Sequence, residues 1–181
     1  MRIESPPDSG IPGIGLRPIE RGDRQAWFDY LRLPEVYERT SWNVQLSEDL
    51  DSLFDGFESI APTSPRRLAV VDLASGRLAG TIGFHTVSDI NRTAEIAYDL
   101  APSHWGRGVA SRLCDLVTRW SFDTYGFVRV QGTVLIGNDR SDRVLLRSGY
   151  QHEGLLRSFR MVRGRPGDFN MYSRLSTASE V

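Results

Sequence analysis

The stretch at 95–111, EIAYDLAPSHWGRGVAS, constrains this chain more than any other. Ile96, Tyr98 and Leu100 alternate with Glu95, Ala97 and Asp99, the period of a strand. Pro102 ends that strand, because it lacks an amide hydrogen and disfavours helical geometry at Ala101. Gly106 and Gly108 follow, with Arg107 between them and small Ala110 and Ser111 behind. Val109, Leu113, Leu116, Val117 and Trp120 then recur at helical spacing, and the pattern predicts a helix over 106–125. A strand that runs through a glycine turn into a helix points to a sheet with helices packed on it.

Such a junction binds anions. The first amides of a helix have no partner within the helix, and they carry the positive end of its dipole. Glycines let backbone approach a phosphate with no side chain in the way. Arg107 adds a full positive charge, so the turn suits a phosphate or a pyrophosphate. A Walker loop needs a lysine, and all 22 basic residues of this chain are arginine. The dinucleotide fingerprint needs a third glycine where Ser111 stands.

At 181 residues the chain suits one domain, expected over 11–176 between a flexible tail at 1–10 and a C-terminal tail at 177–181. A net charge of −1 argues against nucleic-acid and membrane partners. The single cysteine, Cys114, excludes an internal disulfide, reads as a small core residue, and fits a cytoplasmic protein. Neither a signal peptide nor an apolar run of membrane length is evident, and no His, Cys and carboxylate cluster has metal-ligand spacing, so no metal is expected.

Taken in order, 11–19 reads as a first strand. Asp23 is placed to cap a helix carrying Ala26, Trp27, Tyr30 and Leu31. A short irregular piece covers 36–42. Ser47 is placed to cap a second helix striped by Leu50, Leu53, Phe54 and Phe57. Strands are expected at 67–72 and 78–87 around a turn with Gly76, then the strand and helix of the opening. A strand at 127–135, expected to pair in parallel with the one before the helix, leads to a helix at 138–148 ended by Gly149. Strands at 150–161 and 168–175 close the chain, joined across 163–167. The fold class expected is α/β (α+β): a single mixed, mostly antiparallel sheet of about seven strands with helices on both faces.

Several pieces together resemble the GCN5-related N-acetyltransferase (GNAT) family in its RimJ/RimL-like branch. His104-Trp105-Gly106-Arg107-Gly108-Val109-Ala110 is similar to its pyrophosphate turn, and Gly15-Leu16-Arg17-Pro18 to its opening strand. Phe127-Val128-Arg129-Val130-Gln131 resembles its fifth strand. Asn138, Ser141, Ser148-Gly149-Tyr150, Glu153-Gly154 and Asp168 resemble its closing motifs. The sequence departs from the pattern at Arg112 and Gly137, and at Leu145, where other branches use a tyrosine as acid.

The resemblance implies direct transfer of acetyl from acetyl-CoA to a primary amine in a ternary complex. The acceptor is a protein N-terminal α-amine or a small-molecule amine. Cofactor-binding residues would be Tyr98, Leu100, Trp105, Gly106, Arg107, Gly108, Val109, Ala110, Ser111, Asn138 and Ser141. Free amides around Tyr98 to Leu100 would pair with the pantetheine arm and stabilise a developing oxyanion, where the strand splays from its neighbour. Ser141 would donate to the departing thiolate, Asn138 would bond the cofactor arm, and either could also cap the helix. Glu95, acting through a water, is the candidate base, with Asp99 second on the same strand face. Trp42 and His85 are candidate acceptor-binding residues. Arg112, Arg140 and Arg143 are placed to meet the 3′-phosphate or simply to face solvent. A homodimer is a further expectation from the resemblance, and a non-catalytic acyl-CoA-binding or sensor domain is the alternative.

Overall fold

The computed structural model describes residue 3 and residues 5–176. Strands β1 (Ile14–Pro18), β2 (Arg66–Asp72), β3 (Leu78–Ser88), β4 (Thr93–Leu100), β5 (Arg129–Leu135), β6 (Gln151–Val162) and β7 (Arg165–Leu175) form one sheet. Their order is β1-β2-β3-β4-β5-β7-β6. Only the β4–β5 pair is parallel. Helices α1 (Arg24–Leu31), α2 (Pro34–Tyr37) and α3 (Asp51–Glu58) precede β2. Helix α4 (Val109–Tyr125) joins β4 to β5, and α5 (Asp139–Arg147) joins β5 to β6.

Strand periodicity puts the helices on opposite faces. On β2, Leu68 and Val70 face a core shared with Val109, Leu113, Cys114 and Val117 of α4 and Leu145 of α5. Ala69, between them, faces a second core made by Trp27, Tyr30 and Leu31 of α1 and by Leu50 and Phe54. Trp27, Phe54, Leu68 and Val117 are fully buried, each stabilising the fold by roughly 1.5–3 kcal/mol. Cys114 is a core residue, as its neighbours suggest, and burial pushes its thiol up to about 12.

Local readings differ from the structure in places where another nearby partner wins. Asp23 does not cap α1. Its carboxylate accepts two 2.6 Å bonds from Arg17 and one from the Glu20 amide. Nor does Ser47 cap α3, which follows a 3-10 turn over Ser47–Leu50; there Asp49 takes the amides of Gln45 and Leu46. Part of the irregular 36–42 piece belongs to α2, whose Pro34 is suited to a helix's first position. Helix α4 starts at Val109 rather than at Gly106. Strand β7 starts at Arg165, not at 168. Arg163 and Gly164 both hold positive φ (50° and 78°), so a two-residue turn closes the hairpin and Arg165 pairs with Val162. Within the stretch read as a flexible tail, Ile3 and Ser9 are buried, and the Ser9 hydroxyl donates to the Ile14 carbonyl at 2.5 Å. The C-terminal tail at 177–181 lies outside the described residues.

Candidate active site

The site begins where β4 and β5 part. They pair only from Thr93–Arg129 to Glu95–Gln131. Beyond that, β4 stays on β3 as far as Leu100–Gly80, and β5 stays on β7 as far as Leu135–Phe169. The splay expected around Tyr98 to Leu100 is present and begins already after Glu95: among the described residues, Ile96 to Leu100 have no strand partner on the β5 side. The first turn of α5 stands at this opening, where the Tyr98 phenol donates to the Ser141 carbonyl at 3.2 Å.

One cavity, of about 490 Å³, lies along the glycine turn. Gly106 and Gly108 hold φ of +75° and +72°, and a Cβ at either position would meet nothing within 4 Å. The turn is thus a cradle that only a side chain or a ligand would fill, with the N-terminus of the 17-residue α4 facing it. Trp105 is fixed by its indole N–H, which donates to the Leu100 carbonyl at 2.8 Å, and the Arg140 guanidinium lies 4.6 Å over its ring. Arg39, Arg143 and Arg147 add positive charge to the wall. Tyr98, Leu100, Trp105, Gly106, Gly108, Val109, Ala110, Ser111, Asn138 and Ser141 all line it. Arg107 does not: it lines a neighbouring groove. Arg112 turns away as well, donating to the Gly10 carbonyl at 2.9 Å.

A second cavity, of about 530 Å³, includes Trp27, Trp42, Phe57, His85, Thr133, Arg160 and Phe169 in its wall. Trp42 meets Trp27 edge-on at 5.7 Å. Arg39, Thr40, Tyr98, Asn138 and Ser141 line both cavities, so the two communicate at the opening between β4 and β5.

At the junction, Asn138 is the N-cap of α5. Its side-chain oxygen accepts from the Ser141 amide at 3.3 Å, and its Nδ2 donates to the Arg39 carbonyl at 2.8 Å and to Ser141 Oγ at 3.1 Å. Ser141 Oγ accepts that bond, which leaves its own hydrogen available to donate. Burial pushes the Tyr98 phenol well above its ordinary range, so it stays a donor. Leu145, at the place of the other branches' tyrosine, is buried in the core.

The two candidate bases differ in their surroundings. Asp99 accepts from Trp27 Nε1, Tyr30, Thr81 and Arg67, so both its oxygens are engaged. On Glu95, Oε1 accepts from Thr133 at 2.6 Å and Arg160 at 2.8 Å, with His85 Nε2 3.6 Å away. Its Oε2 has no hydrogen-bond partner among the described residues and is not sealed from solvent. Glu95 lies behind the wall, in contact with the wall residues His85, Thr133 and Arg160. Burial holds the His85 imidazole below its usual pKa, which keeps it neutral.

Sequence reasoning missed Arg39, Thr40, Arg147, Thr133 and Arg160. It also missed Arg163, at the β6–β7 turn, which donates to the carbonyls of Tyr37 and Thr40 at 2.9 Å and stacks on Tyr37. That clamp and the Asn138 bond to Arg39 hold the loop that carries Arg39, Thr40 and Trp42.

Residues 14–151 match the family model of the acetyltransferase (GNAT) domain, and the chain belongs to that family. By family it is an acetyltransferase, and its fold is the seven-stranded mixed sheet expected. The uncharacterized N-acetyltransferase YoaA of Bacillus subtilis (strain 168) is 42% identical over 96 residues, 53% of this chain and 54% of that protein. That alignment spans about half of the relative's length. The uncharacterized N-acetyltransferase p20 of Bacillus licheniformis is 30% identical over 90% of this chain and 92% of its own. In three dimensions the fold is similar to the spermidine N-acetyltransferase of Vibrio cholerae, solved with CoA and spermine. The TM-score is 0.76 at 24% identity, covering 90% of this chain and 95% of that one.

Proposed function

We propose that the protein moves acetyl from acetyl-CoA directly onto a primary amine, as an enzyme of the RimJ/RimL-like branch. The observation that carries this is the opening between β4 and β5, where two cavities share Tyr98, Asn138 and Ser141 as a common wall. One cavity has the glycine cradle, a helix N-terminus and arginines with no ion pair among the described residues, which suit a diphosphate and a further phosphate. The other is aromatic and suits the amine's carrier. Acetyl-CoA supplies a thioester whose carbonyl carbon takes the nitrogen's lone pair as the C–S bond breaks and its electrons pass to sulfur.

The chain's residues have the remaining tasks. Amides at Gly106, Gly108, Val109 and Ala110 hold the diphosphate, and unpaired backbone of β4 near Tyr98 orients the carbonyl. Ser141 Oγ gives a proton to the departing sulfur and regains one from solvent. Glu95 accepts the amine's proton through a water on Oε2, while Arg160 and Thr133 fix the other oxygen. Asp99, with both oxygens engaged, is better suited to holding the fold. We place the enzyme in the cytoplasm, in keeping with its lone, buried Cys114. No helix among the described residues is long and apolar enough to cross a membrane. A homodimer is part of the proposal, supported by exposed Leu155, Phe159 and Met161 on the edge strand β6. The test is thiol release from acetyl-CoA against a panel of peptides and small amines. Release with at least one amine is expected, and silence across the panel with CoA still bound would favour the sensor.

A further inference from the structure

Which amine the aromatic cavity accepts can be argued from its charges, on the footing of the acetyl-transfer reading above. Among the described residues the lining contains three cations, Arg39, Arg67 and Arg160, and no Asp or Glu. Arg67 is fully engaged: its nitrogens donate to Thr81, the Ala97 carbonyl and Asp99. Arg160 is not. Its Nη2 donates to Glu95 at 2.8 Å and lies 3.4 Å from His85 Nε2. Its Nε and Nη1 have no hydrogen-bond partner among the described residues. The guanidinium rests over Phe159 and Phe169 at 4.8 and 5.6 Å, and about a third of the side chain (32%) remains exposed. Arg39 has no ion pair or side-chain hydrogen bond among the described residues. Glu35, one helical turn before it, lines the other cavity and makes no salt bridge with it.

Asp99 and Glu95 thus balance Arg67 and Arg160 and leave Arg39 uncompensated. A polyamine keeps at least one ammonium group after its reacting amine loses a proton, and this wall would meet that group with guanidinium and no carboxylate in its lining. We infer that the acceptor is a primary amine on an aromatic or branched-apolar carrier with a carboxylate beside the amine, the α-amino acid class. The carboxylate takes the free donors of Arg160, whose planar guanidinium suits it. The amine, one carbon away, then lies against the part of the wall behind which the same guanidinium holds Glu95, so that a water on Oε2 can link the two. The side chain enters the space walled by Trp27, Trp42 and Phe57.

The test uses the full chain with acetyl-CoA and three acceptors: L-phenylalanine, L-phenylalaninamide and spermidine. A charge-assisted bond to the carboxylate predicts a kcat/KM for the acid about tenfold or more above the amide, with spermidine lowest. Arg160→Gln slows both and brings the acid-to-amide ratio towards one. Spermidine turning over faster than phenylalanine, or an acid-to-amide ratio near one in the unaltered protein, overturns the acceptor class while leaving acetyl transfer standing. If no acceptor releases thiol although calorimetry shows acetyl-CoA bound, the transfer reading falls instead. Quenching of the cavity tryptophans by N-acetyl-L-phenylalanine and by spermidine then decides the cavity's preference alone. Tighter binding of the anion upholds it, and tighter binding of spermidine overturns it.

Discussion

Replacing Asn138 separates the ways in which one side chain ties the two cavities together. Asn138→Ala removes the cap on the Ser141 amide, which costs about 1 kcal/mol. It also removes the 2.8 Å bond to the Arg39 carbonyl, a net contribution of about 1 kcal/mol. Together these predict a loss of about 2 kcal/mol, or roughly 4–8 °C in Tm for a domain of this size. Asn138→Asp keeps an acceptor for the Ser141 amide and puts a favourable negative charge at the N-terminus of α5. It loses both Nδ2 donors, however, and sets a carboxylate against the Arg39 carbonyl. Asn138→Asp is therefore expected to melt between Asn138→Ala and the parent, and to share with Asn138→Ala a raised KM for the acceptor, because the loop carrying Arg39, Thr40 and Trp42 is released. Calorimetric melting and separate KM values for acetyl-CoA and acceptor check this. Parent-like melting in both variants, or a parent-like acceptor KM in Asn138→Asp, refutes the reasoning.

Three further outcomes follow from the same geometry. Ser141→Ala should leave the Kd for CoA within a few-fold of the parent and lower kcat by about a hundredfold, as measured by calorimetry and thiol release; unchanged turnover removes Ser141 from the chemistry. Arg163→Ala should raise the acceptor KM more than the acetyl-CoA KM, because it frees the carbonyls of Tyr37 and Thr40 and so the loop that carries Trp42; equal effects on both KM values contradict the clamp. Burial lowers the folded-state pKa of His85, so as pH falls the unfolded chain takes up this proton first. The stability that neutral His85 contributes is complete above its unfolded value of about 6.5 and is lost as pH falls through the lower folded value. Denaturant titrations from pH 7.5 to 5 should show a shallower decline in His85→Gln than in the parent, and parallel curves contradict it.

Much of the cavity along the glycine turn was legible in the sequence because its signals are local. The alternation in β4, the glycines at 106 and 108 and the cap at Asn138 each announce themselves within a few residues. The aromatic cavity depends on contacts made across long stretches of chain. Arg163 reaches back 126 residues to Tyr37, and Arg160 reaches 65 residues to Glu95; neither pairing has a sequence period. The misplaced caps have a local cause instead: Arg17, six residues before Asp23, takes its carboxylate, and Asp49 takes the amides of Gln45 and Leu46. Some motif residues have structural work. Arg129 pairs with Glu153 through bonds of 2.7 and 2.5 Å and holds that carboxyl down to about 2. Asp168 accepts the Ser158 amide at 2.7 Å across an irregular part of β6. These ties fix the edge of the sheet on which Arg160 sits, so the motif serves the acceptor cavity indirectly.

The most direct measurement is a crystal structure of the protein with CoA. The account predicts the diphosphate on the amides between Gly106 and Ala110, the arm along the open edge of β4, and the sulfur within reach of Ser141 Oγ at the wall shared by the two cavities. Density that places the nucleotide away from the glycine turn, or the sulfur away from Tyr98 and Ser141, would contradict it.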